Sequence, residues 1–196
     1  MCLFPPQAIE FGNTWFSEIT DARGRQYVGV CTPGYPSPQT SIVRTYASIL
    51  QKVKLMKDKD DINYYWTLLG YFNSIRELGG AVSLVEADIV ERLGQIFNRD
   101  LLDGNQRRYI NYKELTSRVS SSEIPAALKE LEVDFNKNSE SRAVGVCLAT
   151  NMIATGVDIS RFGLMCIHGQ PKTTAEYIQA SSRVGRDSNG PGFVVT

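Results

Sequence analysis

The chain has 196 residues, 42% of them hydrophobic, enough to bury the core of one large domain or of one domain with an appendage. Lys plus Arg equals Asp plus Glu at 21 each, so no global basic field draws in nucleic acid and any such contact must be local. Four scattered cysteines (Cys2, Cys31, Cys147, Cys166) without a CxxC pair, a single histidine, no apolar run of membrane-spanning length and no signal-peptide pattern exclude a zinc site and a membrane partner.

In chain order, YVGVCTPG reads as a short strand entering a Pro/Gly turn, and from Ser41 the apolar residues Ile42, Val43, Tyr46, Ile49, Leu50 and Val53 recur at helical spacing. That helix is expected to end in the charge run KDKDD, residues 57 to 61. The order of strand, Gly turn and helix invites a phosphate-loop reading, but CTPGYPSPQTS has no Gly-Lys-Ser/Thr and its prolines remove backbone donors. YYWTLLGYF (64–72) suits a buried strand, NSIRELGG a turn, and LVEADIVERLGQIF (84–97) an amphipathic helix. YINYKELTSRV is strand-like, and SSSEIPAALKELE opens a helix with Ser120 and Glu123 at capping-box spacing. AVGVCLAT (143–150), LMCIHG (164–169) and GFVVT (192–196) read as further buried strands, with a helix from about Thr174, capped by Thr173 and Glu176, between the last two. Apolar strands alternating with amphipathic helices imply an α/β fold, an open parallel sheet with helices on both faces.

In such sheets ligands gather at the carboxyl ends of the strands. The residues just after the apolar runs are Asn73 and Ser74, then Thr116, Ser117 and Arg118, then Thr150 and Asn151, then Gln170. Short hydroxyl and amide groups of this kind hold phosphate oxygens without reading base identity, although helix capping alone explains each position singly. On the helix expected from near Thr174, Gln179, Arg183 and Arg186 are spaced by four and then three, which places them on one face. Two arginines there suit a transferring phosphoryl group, but from spacing alone a salt-bridged surface with Glu176 and Asp187 is the favoured account, since charged helix faces are common and most are only solvated. Gly156 and Asp158 add a close backbone approach and an acceptor for ribose hydroxyls or an arginine.

The order of ATNMIATGVDI (149–159) before QASSRVGR (179–186) resembles the fifth and sixth motifs of the second RecA-like domain of superfamily two helicases, the sixth being written Q-x-x-G-R-x-G-R. YYWTLLGYFNS would hold the fourth motif's strand. The run GQPKTTAEYIQASSRVGR is most similar to the large DNA helicases of prokaryotic phage-defence and restriction-like systems. The resemblance covers residues 64–135 and 143–196, leaving 1–62 as a strand/helix appendage or insertion and 63–196 as the RecA-like domain.

That resemblance implies residue roles. Arg186 matches the arginine finger that reaches the γ-phosphate, Arg183 its partner, and Gln179 the first position of the sixth motif at the nucleotide. Gly156 and Asp158 match the pair that touches the ribose and links the ATP site to the strand. Thr150 matches the residue holding a backbone phosphate, with Asn73, Ser74, Thr116 and Ser117 along the same track. Ser182 departs from the family's usual Gly. No G-x-x-x-x-G-K-[ST] loop and no D-E-x-x box occur, so the lysine, the magnesium ligands and the water-activating carboxylate would belong to a first RecA-like domain in the same polypeptide. The chain is therefore expected to be part of a longer, cytoplasmic helicase or translocase that uses ATP and Mg2+ and acts on nucleic acid, DNA by resemblance. The final GFVVT reads as a truncated end. The rival reading is a non-catalytic RecA-like module that binds nucleic acid or serves as a scaffold.

Overall fold

The computed structural model describes residues 24–35, 37–100, 106–108, 110–120, 122–135, 143–150, 159–187 and 190–196. Six strands form one sheet: β1 (Gln26–Val28), β2 (Leu68–Phe72), β3 (Tyr112–Leu115), β4 (Val146–Ala149), β5 (Leu164–His168) and β6 (Phe193–Val195). They lie in the order β1-β6-β5-β2-β4-β3, and every pairing is parallel. Because a parallel sheet is covered on both faces, β2 and β4 carry no exposed residue, which is why they read as unbroken apolar runs. Alternate residues feed two cores. Leu68, Phe72, Val146, Leu148, Leu164 and Cys166 join one, while Leu69, Tyr71, Cys147, Ala149, Met165 and Ile167 join the other.

The first core is closed by α1 (Pro38–Lys54), α3 (Ile75–Ser83) and α4 (Ile89–Asp100), through Tyr46, Leu50, Leu78, Ala81, Ile89 and Leu93. The second is closed by α5 (Ile124–Leu131) and α6 (Thr174–Ser181), through Leu131 and Ala180. β1 pairs with β6, and α1 packs into the first core, so the elements upstream of residue 62 share sheet and core with those downstream. Gly70 in the centre of β2 leaves room for the Tyr46 ring, since a Cβ there would be driven into the Tyr46 hydroxyl.

Several elements differ from the sequence expectations. The first helix begins at Pro38 rather than Ser41, because Ser37 accepts the Thr40 amide and Pro38 presets the first turn. The charge run is not a terminator. Asp58 caps a further helix, α2 (Lys59–Tyr65), by accepting from the amides of Asp60 and Asp61, so Tyr64 and Tyr65 are helical and the strand starts only at Leu68. NSIRELGG is a helix start, not a turn: Ser74 caps α3 at the Glu77 amide, and burial of Leu78 and Ala81 outweighs the cost of Gly79 and Gly80. The helix expected over 84–97 opens with a π-type turn, Leu84–Asp88, before α4. Ser120 and Glu123 do not form a capping box: the Glu123 amide donates to the Ser120 carbonyl and Ser120 Oγ donates to Glu123 Oε2 at 2.8 Å, in the turn ahead of α5, which starts only at Ile124.

Candidate functional site

Parallel pairing brings the strand ends to one edge. Leu115 and Tyr71 both register with Ala149, and Phe72 with His168, so Thr116, Thr150, Asn73 and Gln170 follow one another across the carboxyl edge of four adjacent strands. The structure brings this part of the predicted set together and also shows what each side chain already does. The Asn73 amide donates to the carbonyls of His168 at 3.1 Å and Gln170 at 3.3 Å, tying the end of β2 to the turn after β5. Ser74 is the α3 cap. Thr116 is buried, donates to Glu114 Oε1 at 2.6 Å and accepts the Arg118 amide at 3.2 Å. Thr150 is buried, and its amide reaches the Leu115 carbonyl. Ser117 and Arg118 are exposed beside them. Asn151, Gly156 and Asp158 lie outside the described residues.

The arginines lie elsewhere. α6 carries the expected capping box between Thr173 and Glu176, but it ends at Ser181. Ser181 and Ser182 turn their hydroxyls back onto the carbonyls of Ile178 (3.3 Å) and Gln179 (2.9 Å), and Gly185 takes a left-handed φ of 64°. Gln179, Arg183 and Arg186 therefore do not share a helix face, and the expectation drawn from their spacing is corrected. Arg183 and Arg186 occupy a turn beyond the helix, with Arg186 Nε folded back onto the Ser182 carbonyl at 3.0 Å. Gln179 and Arg186 are exposed and Arg183 is half-buried.

That turn is held by long-range bonds. The Gly185 amide donates to the Phe162 carbonyl at 2.7 Å, just ahead of β5. Arg25 Nε donates to the Val184 carbonyl at 2.7 Å. Tyr64 donates to Asp187 Oδ2 at 3.0 Å, and Tyr65 to the Pro191 carbonyl at 2.7 Å. Since α6 runs antiparallel to β5 for eight residues, about 12 Å, it carries the turn from the carboxyl edge to the amino edge of the sheet. The hydroxyl and amide row and the arginine pair thus lie on opposite edges, and the rule about carboxyl ends covers only the row.

One stretch of chain joins the two edges. It leaves β4 at Thr150 and enters β5 through Ile159–Gly163, with β2 lying between those two strands in the sheet and residues 151–158 outside the described residues. Its described end is anchored by Arg161, whose Nε donates to the Leu131 carbonyl at 2.7 Å and whose Nη2 donates to Thr67 Oγ1 at 2.8 Å. Burial pulls the Arg161 guanidinium down to about 10, so it stays protonated at neutral pH. Sequence reasoning missed Arg161, Tyr64 and Arg25. Nothing in their spacing marks them, because each acts through a contact distant along the chain.

Three other groups are shifted chiefly by burial. His168 is pushed down to about 4 and is therefore neutral, with Nε2 hydrogen-bonded to the Tyr46 hydroxyl at 2.8 Å and its ring stacked on Phe72 at 4.4 Å. The Cys147 and Cys166 thiols are pushed up to about 12, which makes them inert core residues.

The helicase conserved C-terminal domain family matches residues 75–188. The DISARM protein DrmA of Bacillus paralicheniformis is 46% identical over 201 residues, an alignment that takes in 98% of this chain and 17% of that protein. The chain thus spans about a sixth of the curated relative it matches. Among solved structures, domain 2 of the DEAD-box helicase Mss116p bound to an RNA duplex superposes with a TM-score of 0.52 at 14% identity, over 86% of this chain and 52% of that one. The Mycobacterium smegmatis helicase Lhr bound to ssDNA and AMP-PNP gives 0.50 at 16% identity, over 89% and 19%. At such identities these two carry the fold alone, and they agree with the six-stranded parallel sheet. Among the described residues no helix is long and apolar enough to cross a membrane. With the family matched over more than half of its length, the chain belongs to the helicase conserved C-terminal domain family.

Proposed function

We propose that this chain is the C-terminal motor domain of an ATP-dependent helicase or translocase acting on DNA, and that it supplies the arginine finger and part of the strand-binding track. One observation carries the reading. The hydroxyl and amide row stands at the carboxyl edge of the sheet, and at the amino edge of the same sheet the Phe162 carbonyl, just ahead of β5, holds the arginine turn through Gly185. A strand gripped at one edge and a phosphate met at the other are thereby mechanically joined.

In this reading Arg186 is the finger and Arg183 its partner, both offering fixed positive charge to a γ-phosphate, with Gln179 beside them and Gly156 and Asp158 toward the ribose. ATP supplies the phosphoryl group that is transferred to water. The described residues fit a phosphate through these guanidinium donors, and among them no cluster of three or more His, Cys, Asp or Glu could hold a metal ion. By the resemblance, the Mg2+ ligands and the phosphate loop fall to a first RecA-like domain of the same polypeptide, the partner of this one. Thr150, Asn151, Asn73, Ser74, Thr116, Ser117 and Arg118 form the track. Its engaged hydroxyls and amides, with the exposed Ser117 and Arg118, suit sequence-independent backbone contacts. DNA is favoured by the resemblance to large prokaryotic DNA helicases, and the Lhr structure shows that a protein of this fold was solved with ssDNA and a nucleotide analogue.

The test is Arg186→Ala in the full-length parent. Strand-stimulated ATP turnover is expected to fall by roughly 10³ or more while strand binding persists. Near-normal turnover would overturn the assignment.

A further inference from the structure

We propose that the cleft beside the track takes an unstacked nucleobase of the bound strand, an inference that rests on the strand-binding reading above. The cleft encloses about 750 Å³ and opens at the carboxyl ends of β5, β6 and β1, between the start of α1 and α3. Its wall includes His168 and Gly169, the turn to which the Asn73 amide ties the end of β2, so the end of the track and the mouth of the cleft share residues. A strand that passes Thr116, Thr150 and Asn73 in order reaches this opening next.

The chemistry of the walls selects the ligand. Phe72 and His168 stand in the wall stacked on each other with planes 17° apart, and because Phe72 is buried, the exposed aromatic ring of the lining is that of Tyr35. Tyr35 stands opposite in sequence origin, on the segment ahead of α1, fixed by Arg44, which lies 4.9 Å from its ring centre and donates to its hydroxyl at 3.2 Å. Flat rings suit a π face. Among the described residues Glu77 is the one charged side chain in the lining, and His168 is neutral there, so the interior disfavours a phosphate and admits an uncharged ring. The remaining polar groups, such as the Gln39 amide and the Thr45 hydroxyl, are neutral donors and acceptors that suit the edge of a base. The phosphates would stay on the track, and the base would enter the cleft.

Gly80 provides a clean probe. It lines the cleft from α3, and a Cβ built there meets nothing within 4 Å, so a side chain at 80 starts in open space, and Gly80→Phe is expected to obstruct the cleft from a position whose lining includes neither Asn73, Thr150 nor the arginine turn. In the full-length parent, single strands carrying a fluorescent aminopurine at successive positions should show a fluorescence change at one position. Gly80→Phe should abolish that change and weaken strand binding roughly tenfold, with the slope of log Kd against log salt unchanged because phosphate contacts survive. Gly79→Ala, on the same helix outside the lining, should leave binding as it is. An abasic residue at the responsive position should weaken binding to the wild-type protein equally and cost Gly80→Phe nothing further, a comparison that does not depend on how well the variant folds. If wild type binds the strand and neither the plug nor the abasic residue changes affinity, the base-binding inference is overturned and the strand-binding reading stands. If wild type binds no strand, both fall together.

Discussion

The backbone amide of Gly185 donates to the carbonyl of Phe162 at 2.7 Å, and this bond fastens the turn bearing Arg183 and Arg186 to the end of the segment that leaves the opposite edge at Thr150. Gly185 can do so only with its φ of 64°, and a Cβ there would be forced into the backbone of Gly192. Gly185→Ala is therefore expected to destabilise the domain by at least about 2 kcal/mol, read as a lower urea midpoint. In the parent it should lower strand-stimulated ATP turnover more than strand affinity. An unchanged midpoint would mean that the turn adopts another conformation.

His168 makes the domain sensitive to mild acid. Burial holds its folded-state pKa at about 4, whereas the unfolded chain titrates near 6.5. Between those values the unfolded state binds a proton that the folded state does not, so stability rises with pH through the window. The contribution is complete above about pH 6.5 and is lost as the pH falls toward 4, roughly 3 kcal/mol in all. Carboxylates titrate in the lower part of the same window, so the measurement is a difference. Stability curves of wild type and His168→Gln from pH 4 to 7 should converge at the acid end, since the variant lacks this titration. Parallel curves would count against a neutral His168.

Gly70 and Tyr46 are coupled through space in the centre of the sheet. An alanine methyl at 70 would be driven into the Tyr46 hydroxyl and would lie 3.1 Å from Leu148 Cδ2. Gly70→Ala alone is expected to cost roughly 2–3 kcal/mol of folding stability by overpacking. In a Tyr46→Phe background the hydroxyl is gone, although its bond to His168 is lost too, and the penalty of the alanine should shrink by about 1 kcal/mol or more. A double-mutant cycle from denaturant unfolding reads that coupling directly. Simple additivity would show that the strand, not the tyrosine, absorbs the methyl.

Much of the architecture was legible because burial in a parallel sheet writes itself into composition. The runs holding β2, β4, β5 and β6 are apolar on both faces, and the Thr173–Glu176 box is a local device that forms wherever its helix does. Elements whose existence depends on competition were not legible. The charge run at 57–61 looks like a loop until Asp58 is seen capping α2, and Gly79–Gly80 looks like a turn until the burial of Leu78 and Ala81 is counted. At the candidate site, the row Asn73, Thr116 and Thr150 was foreseeable from strand ends alone. The placement of the arginines was not, because the end of α6 is decided by Gly185 and by bonds from Phe162, Arg25 and Tyr64, residues some 20 to 160 positions away along the chain.

By itself the sequence determined the class of fold, the order of the two motifs and the residue types that each carries, since hydrophobic period and motif wording are properties of neighbours along the chain. Tertiary structure alone decided that β2 lies between β4 and β5, so that the segment after Thr150 must cross from one edge of the sheet to the other, and that the arginines stand at the far edge in a turn rather than on a helix. Strand order and the fate of a helix end depend on contacts between distant residues, and spacing along one chain does not encode which of those contacts closes.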